Sequence, residues 1–170
     1  TLTATLGNPV NATLAVTAAT GTIIDDDTPS LSISDVFVAE GNSGTRPAVF
    51  TVTLSTAHVT TVTVNYASSD NTATAGSDYT AVSSTLRFPP GTTVQTFTVA
   101  ISGDVTVEAN ETFTVTLSNP DNATILDSDG VGTIVNDEGL TLSIADSSTV
   151  ENFPITFTVR LSAVSGAPVT

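Results

Sequence analysis

Apolar and hydroxyl residues alternate along most of this chain. In Phe50-Thr51-Val52-Thr53-Leu54-Ser55 the apolar side chains take one face and the hydroxyls the other. Val62 to Tyr66, Phe97 to Ile101 and Phe113 to Leu117 repeat the pattern. A period of two marks half-buried antiparallel strands, and the Thr and Val that dominate them are β-branched and suit a pleated surface. No segment holds a 3.6-residue period, so the pattern predicts almost no helix. Seven strands are expected near 31–38, 48–55, 61–68, 84–88, 94–102, 112–118 and 130–136. Turn residues such as Glu40-Gly41-Asn42-Ser43-Gly44, Pro89-Pro90-Gly91 and Asn119-Pro120-Asp121-Asn122 separate them. Seven short alternating strands predict a seven-stranded antiparallel sandwich of immunoglobulin-like architecture. The Cys pair and Trp of immunoglobulin cores are missing, so the likeness is architectural only.

The pattern also repeats. Leu2 to Asp27, shifted by 111 residues, falls on Phe113 to Glu138 with 12 of 26 positions identical. Leu31, Ile33, Asp35 and Glu40 fall on Leu142, Ile144, Asp146 and Glu151. The register then slips by four, so that Phe50 to Ser55 meets Phe157 to Ser162. A long fixed period is the mark of tandem repeats. The expected organisation is the last strands of one repeat in 1–27, a complete domain in 28–138 and the first strands of another repeat in 139–170. Neighbouring repeats, or subunits joined head to tail, are then the expected partners.

Composition narrows the chemistry. There are 17 acidic residues against three Arg, one His and no Lys, a net charge of −14. That balance excludes nucleic acid, whose phosphates require a basic surface, and disfavours anionic membranes. No apolar run approaches the ~18 residues of a membrane span. With no Cys, neither disulfides nor thiolate sites are available. No nucleophile–base arrangement, cofactor loop or catalytic metal spacing appears, so an enzyme is not expected. Acids can simply solvate loop tips, but their placement here is uneven. Glu40 ends the first expected strand, Asp70 the third, and Asp104 and Glu108 follow the fifth. Asn136, Asp137 and Glu138 follow the last. Odd-numbered antiparallel strands finish at one pole, so six carboxylates should converge there. A hard multivalent cation relieves their repulsion, and Ca²⁺ takes six to eight oxygen ligands in flexible geometry. Zn²⁺ would want His or Cys, and His58 lies at the other pole.

These residues resemble the Calx-beta family. The likeness rests on Val38-Ala39-Glu40-Gly41, the run from Asp70 to Thr80, and Leu86, Phe88 and Gly91. It continues through Glu111 and Phe113, the L-S-N-P that follows, and G-T-I-V-N-D near Asp137. It implies a sandwich with Ca²⁺ clustered at one pole. It marks Glu40, Asp70, Asp104, Glu108, Asp137 and Glu138 as ligands, with Thr106 offering a backbone carbonyl. Gly103 and Asn136 stand where the sodium–calcium exchanger's pattern has Asp. The preceding repeat keeps all three acids as Asp25, Asp26 and Asp27. Asp78 and Tyr79 read as structural. The expected function is an extracellular or cell-surface structural or adhesive module, a calcium-stiffened rod or filament component that could meet a surface or matrix ligand. The alternative is a regulatory Ca²⁺ sensor.

Overall fold

The structure, a computed structural model, describes residues 1–23 and 27–162. Every regular element among them is a strand. The first two are β1 (Leu2–Thr5) and β2 (Ala18–Gly21). The complete unit comprises β3 (Ser30–Ile33), β4 (Val36–Ala39), β5 (Thr45–Leu54), β6 (Val62–Asp70), β7 (Ser83–Phe88), β8 (Val94–Ser102), β9 (Glu111–Asp121), β10 (Thr124–Ile125) and β11 (Asp129–Val135). β12 (Leu142–Ile144) and β13 (Val159–Leu161) follow. One sheet runs β10-β3-β5-β8 and the facing one β4-β11-β9-β6-β7. β1–β2 and β12–β13 form separate two-stranded sheets.

The two-sheet all-β sandwich is as the alternation predicts, but the complete unit has nine strands where seven were expected. The first expected strand divides. Leu31 and Ile33 face the core from one sheet; Val36 and Val38 are half-buried in the other. Core-facing positions are odd-numbered before Asp35 and even-numbered after it, with Phe37 turned outward, so the chain changes sheets there. Asp35 Oδ1 accepts from the Val131 N–H at 2.8 Å, and Ser34 Oγ accepts from the Thr51 N–H at 3.2 Å, which anchors both sides of the crossing. Gly130 admits the close approach, since a Cβ there would meet the Ser34 carbonyl oxygen at 2.8 Å. Nor is the sandwich wholly antiparallel: β4 pairs parallel with β11, and β10 parallel with β3.

The core lies between the sheets. Phe50, Val52, Val64, Val99 and Val115 are fully buried, each burial stabilising by roughly 1.5–3 kcal/mol. A row of rings crosses it. Tyr66 stacks on Phe97 at 4.0 Å, Phe97 on Phe50 at 5.4 Å, Phe50 meets Phe113 edge-on at 5.9 Å, and Phe113 stacks on Tyr79 at 4.4 Å. Such pairs add about 0.5–1.5 kcal/mol each beyond area burial. The row ends at the pole where the acids gather.

Candidate metal centre

The parallel pairing of β4 and β11 builds the site. Ala39 is the register partner of Val135, so both strands end side by side. The Glu40 N–H then donates to the Val135 carbonyl at 3.1 Å. Beyond that point the two exits grip each other: Gly41 N–H donates to Asp137 Oδ1 at 2.8 Å, and Asn42 Nδ2 donates to Glu138 Oε1 at 3.1 Å. Gly41 turns with φ +75°, a conformation suited to glycine. The Arg46 guanidinium lies over it, its Nε 2.4 Å from where a Cβ would be. Gly103 packs against the same turn; a Cβ there would lie 2.1 Å from the Gly41 carbonyl oxygen. An Asp at 103 has no room in this backbone, which accounts for glycine at that position.

Carboxylate oxygens of Glu40, Asp137 and Glu138 lie within 4.8 Å of one another. Glu40 is 6% exposed, the one buried charged residue among those described. Its Oε1 and the Oε2 of Glu138 are buried without a hydrogen-bond partner. Burial first, then the facing Glu138 carboxyl, then the charges of Asp104 and Glu108, push the Glu40 carboxyl up to about 7. A second trio, Asp78, Glu108 and Glu111, meets the same 4.8 Å criterion. Glu108 is raised by burial and then by Asp104, Asp78 and Glu138; Glu111 is raised by burial and then by Asp78 and Glu108. The causes acting on these three carboxyls all raise them.

The other expected ligands divide. Asp104 bears on both trios through its charge and accepts from the Thr106 N–H. Thr106 lines a cleft of about 450 Å³ together with Asn42, Asp137 and Glu138. Asn136 acts as a bracket: its Oδ1 accepts from the Glu108 N–H at 2.8 Å, and its Nδ2 donates to the Glu138 carbonyl at 3.1 Å. Asp70 belongs to neither trio. Its Oδ1 accepts from the Tyr79 hydroxyl at 2.6 Å and the Ala75 N–H at 2.9 Å, which anchors the loop that follows. Asp27 is exposed, and Asp25 and Asp26 lie outside the described residues.

Sequence reasoning missed Glu111 and left Asp78 as a turn residue. Asp78 does accept from the Thr74 N–H at 2.7 Å, yet it also faces Glu108 and Glu111. The pole logic contained both. If odd strands end at a pole, even strands begin there, and Glu111 opens the sixth of the seven expected strands.

Two buried, unpartnered carboxylate oxygens within an all-oxygen donor set fit a hard divalent cation. Burying a charge without a partner is costly, and a cation supplies the missing one. Softer metals that prefer nitrogen or sulfur find no such donor in either trio.

Against known protein families the chain matches the Calx-beta domain over residues 25–147. Among solved structures it is similar to the apo-form Calx CBD1 domain, with 25% identity and a TM-score of 0.57, covering 66% of this chain and all of that one. It is equally similar to the calcium binding domain CBD12 of CALX1.1, with 25% identity and a TM-score of 0.59, covering 69% of this chain and 50% of that one. The Calx CBD2 domain, at 14% identity and a TM-score of 0.55, shares the fold. No curated protein matches the chain.

Proposed function

The chain belongs to the Calx-beta domain family, and from that premise we propose that it is a Ca²⁺-binding regulatory module. The observation that carries the reading is the buried Glu40 carboxyl with its unpartnered Oε1, facing Glu138 Oε2 in the same condition. The 25% identity to a solved calcium binding domain supports it. Glu40 and Glu138 supply the oxygens that lack partners. Asp137 is steadied by the Gly41 amide. Asp78, Glu108 and Glu111 offer a second set of oxygens. The ion supplies positive charge that offsets mutual repulsion of the acids. Because the exits of β4 and β11 hold these side chains, binding ties the strand ends together and stiffens the pole. That change in rigidity is what a neighbouring domain can read.

A structural role as a calcium-stiffened rod outside the cell is the second reading, favoured by the flanking strand pairs, which repeat pairings of the complete unit. Affinity separates the two: sensing works at about 10⁻⁷–10⁻⁵ M and extracellular stiffening at about 10⁻⁴–10⁻³ M. Calorimetric titration with CaCl₂, with Glu40→Gln as control, is the test. Absence of binding heat, or equal binding to the control, removes the ion site from the proposal.

A further inference from the structure

The two flanking strand pairs reproduce specific parts of the complete unit. β1 pairs with β2 so that Leu2 meets Gly21 and Thr5 meets Ala18. Add 111 to each number, and these are the β9–β11 partners Phe113 with Gly132 and Thr116 with Asp129. Leu6 N–H donates to the Thr17 carbonyl at 2.8 Å, as Leu117 N–H does to Ser128 at 2.7 Å. Asn8 and Asn11 turn left-handed at φ 51° and 55°, as Asn119 and Asn122 do at 48° and 60°. On the other flank, Leu142 meets Leu161 and Ile144 meets Val159. That is the β3–β5 register of Leu31 with Leu54 and Ile33 with Val52. Even the closing bond recurs: Thr141 N–H donates to Ser162 Oγ at 2.9 Å, as Ser30 N–H does to Ser55 Oγ at 2.9 Å.

β9–β11 and β3–β5 come from facing sheets. In the complete unit they cover each other, and Phe113, Val115, Leu31, Phe50 and Val52 are 0% exposed. In the flanks the corresponding faces lie open. Leu2 is 57% exposed, Leu6 66%, Leu142 59%, Phe157 54% and Val159 60%. The β1–β2 side carries an apolar cleft of about 340 Å³ lined by Ala4, Leu6, Val16, Ala18 and Ala19. One flank therefore displays the face that the other flank's parent strands cover.

We propose that the β12–β13 face of one copy of this chain docks on the β1–β2 face of a second copy, head to tail. Phe157 then takes the place of Phe50 and Leu2 that of Phe113, the edge-on contact at the centre of the complete core. Two marginal two-stranded pieces become one four-stranded sandwich. The contact is heterologous, with different faces meeting, so it does not close at a dimer and adds copies in a row.

Sedimentation velocity over a wide concentration range, with the full chain, reads this directly. The native chain is expected to exceed twice the monomer mass as concentration rises. A Leu2→Asp/Leu6→Asp variant and a Phe157→Asp/Val159→Asp variant should lose self-association, because each lacks one face in the cleanest pairing. Mixed, they keep one intact face of each kind and should form a pair that grows no further. Since the chain has no cysteine, Leu2→Cys and Phe157→Cys chains, mixed and mildly oxidised, report the geometry. They should form the mixed disulfide between the two chains in excess of either symmetric one. A native chain that stays monomeric overturns the proposal. So do variants that associate like the native chain, a mixture that stays monomeric, or symmetric disulfides that dominate. Circular-dichroism melting of each variant shows whether the complete unit is still folded; a variant that has lost it is replaced by Leu6→Asn or Val159→Asn, which must give the same loss.

Discussion

Tyr79 donates its hydroxyl to Asp70 Oδ1 at 2.6 Å while its ring stacks on Phe113 at 4.4 Å. One residue thus joins the aromatic row of the core to the loop after β6. Burial and the Asp70 carboxylate push its hydroxyl up to about 12, so it stays a donor through the neutral range. Tyr79→Phe keeps the ring contact and removes the donor. It is expected to cost about 0.5–1.5 kcal/mol, the usual net contribution of one hydrogen bond, because exposed Asp70 keeps the Ala75 N–H. Urea unfolding measures that loss. Ca²⁺ affinity should stay unchanged, because Asp70 stands outside both carboxylate trios.

Gly103→Asp restores the acid of the exchanger-like pattern and should nevertheless fail to add a ligand. Its Cβ would lie 2.1 Å from the Gly41 carbonyl oxygen and 2.6 Å from that of Glu40. Forcing it in displaces the turn that orients Glu40 and Asp137, at about 1–3 kcal/mol or more. Denaturation and calorimetry together check this: lower stability with no gain in ion stoichiometry is the expected result.

Glu40→Gln removes the buried carboxylate and keeps its shape. Without the ion, the variant should be more stable than the native chain near neutral pH, since a neutral amide can face Glu138 without repulsion. With Ca²⁺, affinity should fall about tenfold or more, equivalent to about 1.4 kcal/mol. A melt in EGTA and a titration give the two halves of the test.

The pH dependence has a definite sign. The Glu40 pKa rises from 4.5 to about 7 on folding, so the folded state binds the proton more tightly than the unfolded chain. Its contribution to stability is fully present below about pH 4.5 and is lost as pH rises through about 7, on the order of 3 kcal/mol in all. Glu108 and Glu111 act in the same direction. Exposed Asp129, lowered by the Thr116 and Ser128 hydroxyls, acts in the opposite one. Melting temperatures in EGTA should therefore fall from pH 5 to 7.5. In saturating Ca²⁺ the fall should flatten or reverse, because the ion competes with the proton for the same oxygens.

The alternation of Phe50 to Ser55 or Phe113 to Leu117 was enough to place strands and core faces, because a period of two has one physical cause. The break at Asp35 was visible too, as a phase change between Leu31-Ile33 and Val36-Val38. A single run of strand-formers conceals it unless the phase is followed residue by residue. β10 was not legible: two residues held by parallel pairing with β3 carry no pattern of their own. At the site, sequence order brought Glu40 to Asp137 and Glu138 through the right pole but by antiparallel reasoning, whereas the structure joins them by a parallel pair. Beyond the shared pole, nothing in the sequence brings Asp78 to Glu108 and Glu111; that follows from the loop after β6, which Asp70 holds through the Tyr79 hydroxyl and the Ala75 N–H.

The same parallel pair sets how the domain would carry a load. Pulling the start of β4 and the end of β11 in opposite directions slides two strands along each other. Every bond between Gly132↔Val36 and Val135↔Ala39 then resists at once, rather than opening one after another as in a zipper. The Gly41–Asp137 bond lies just past the last of these rungs. An ion seated among Glu40, Asp137 and Glu138 would act as a clasp at the end of that seam, turning calcium concentration into resistance to tension.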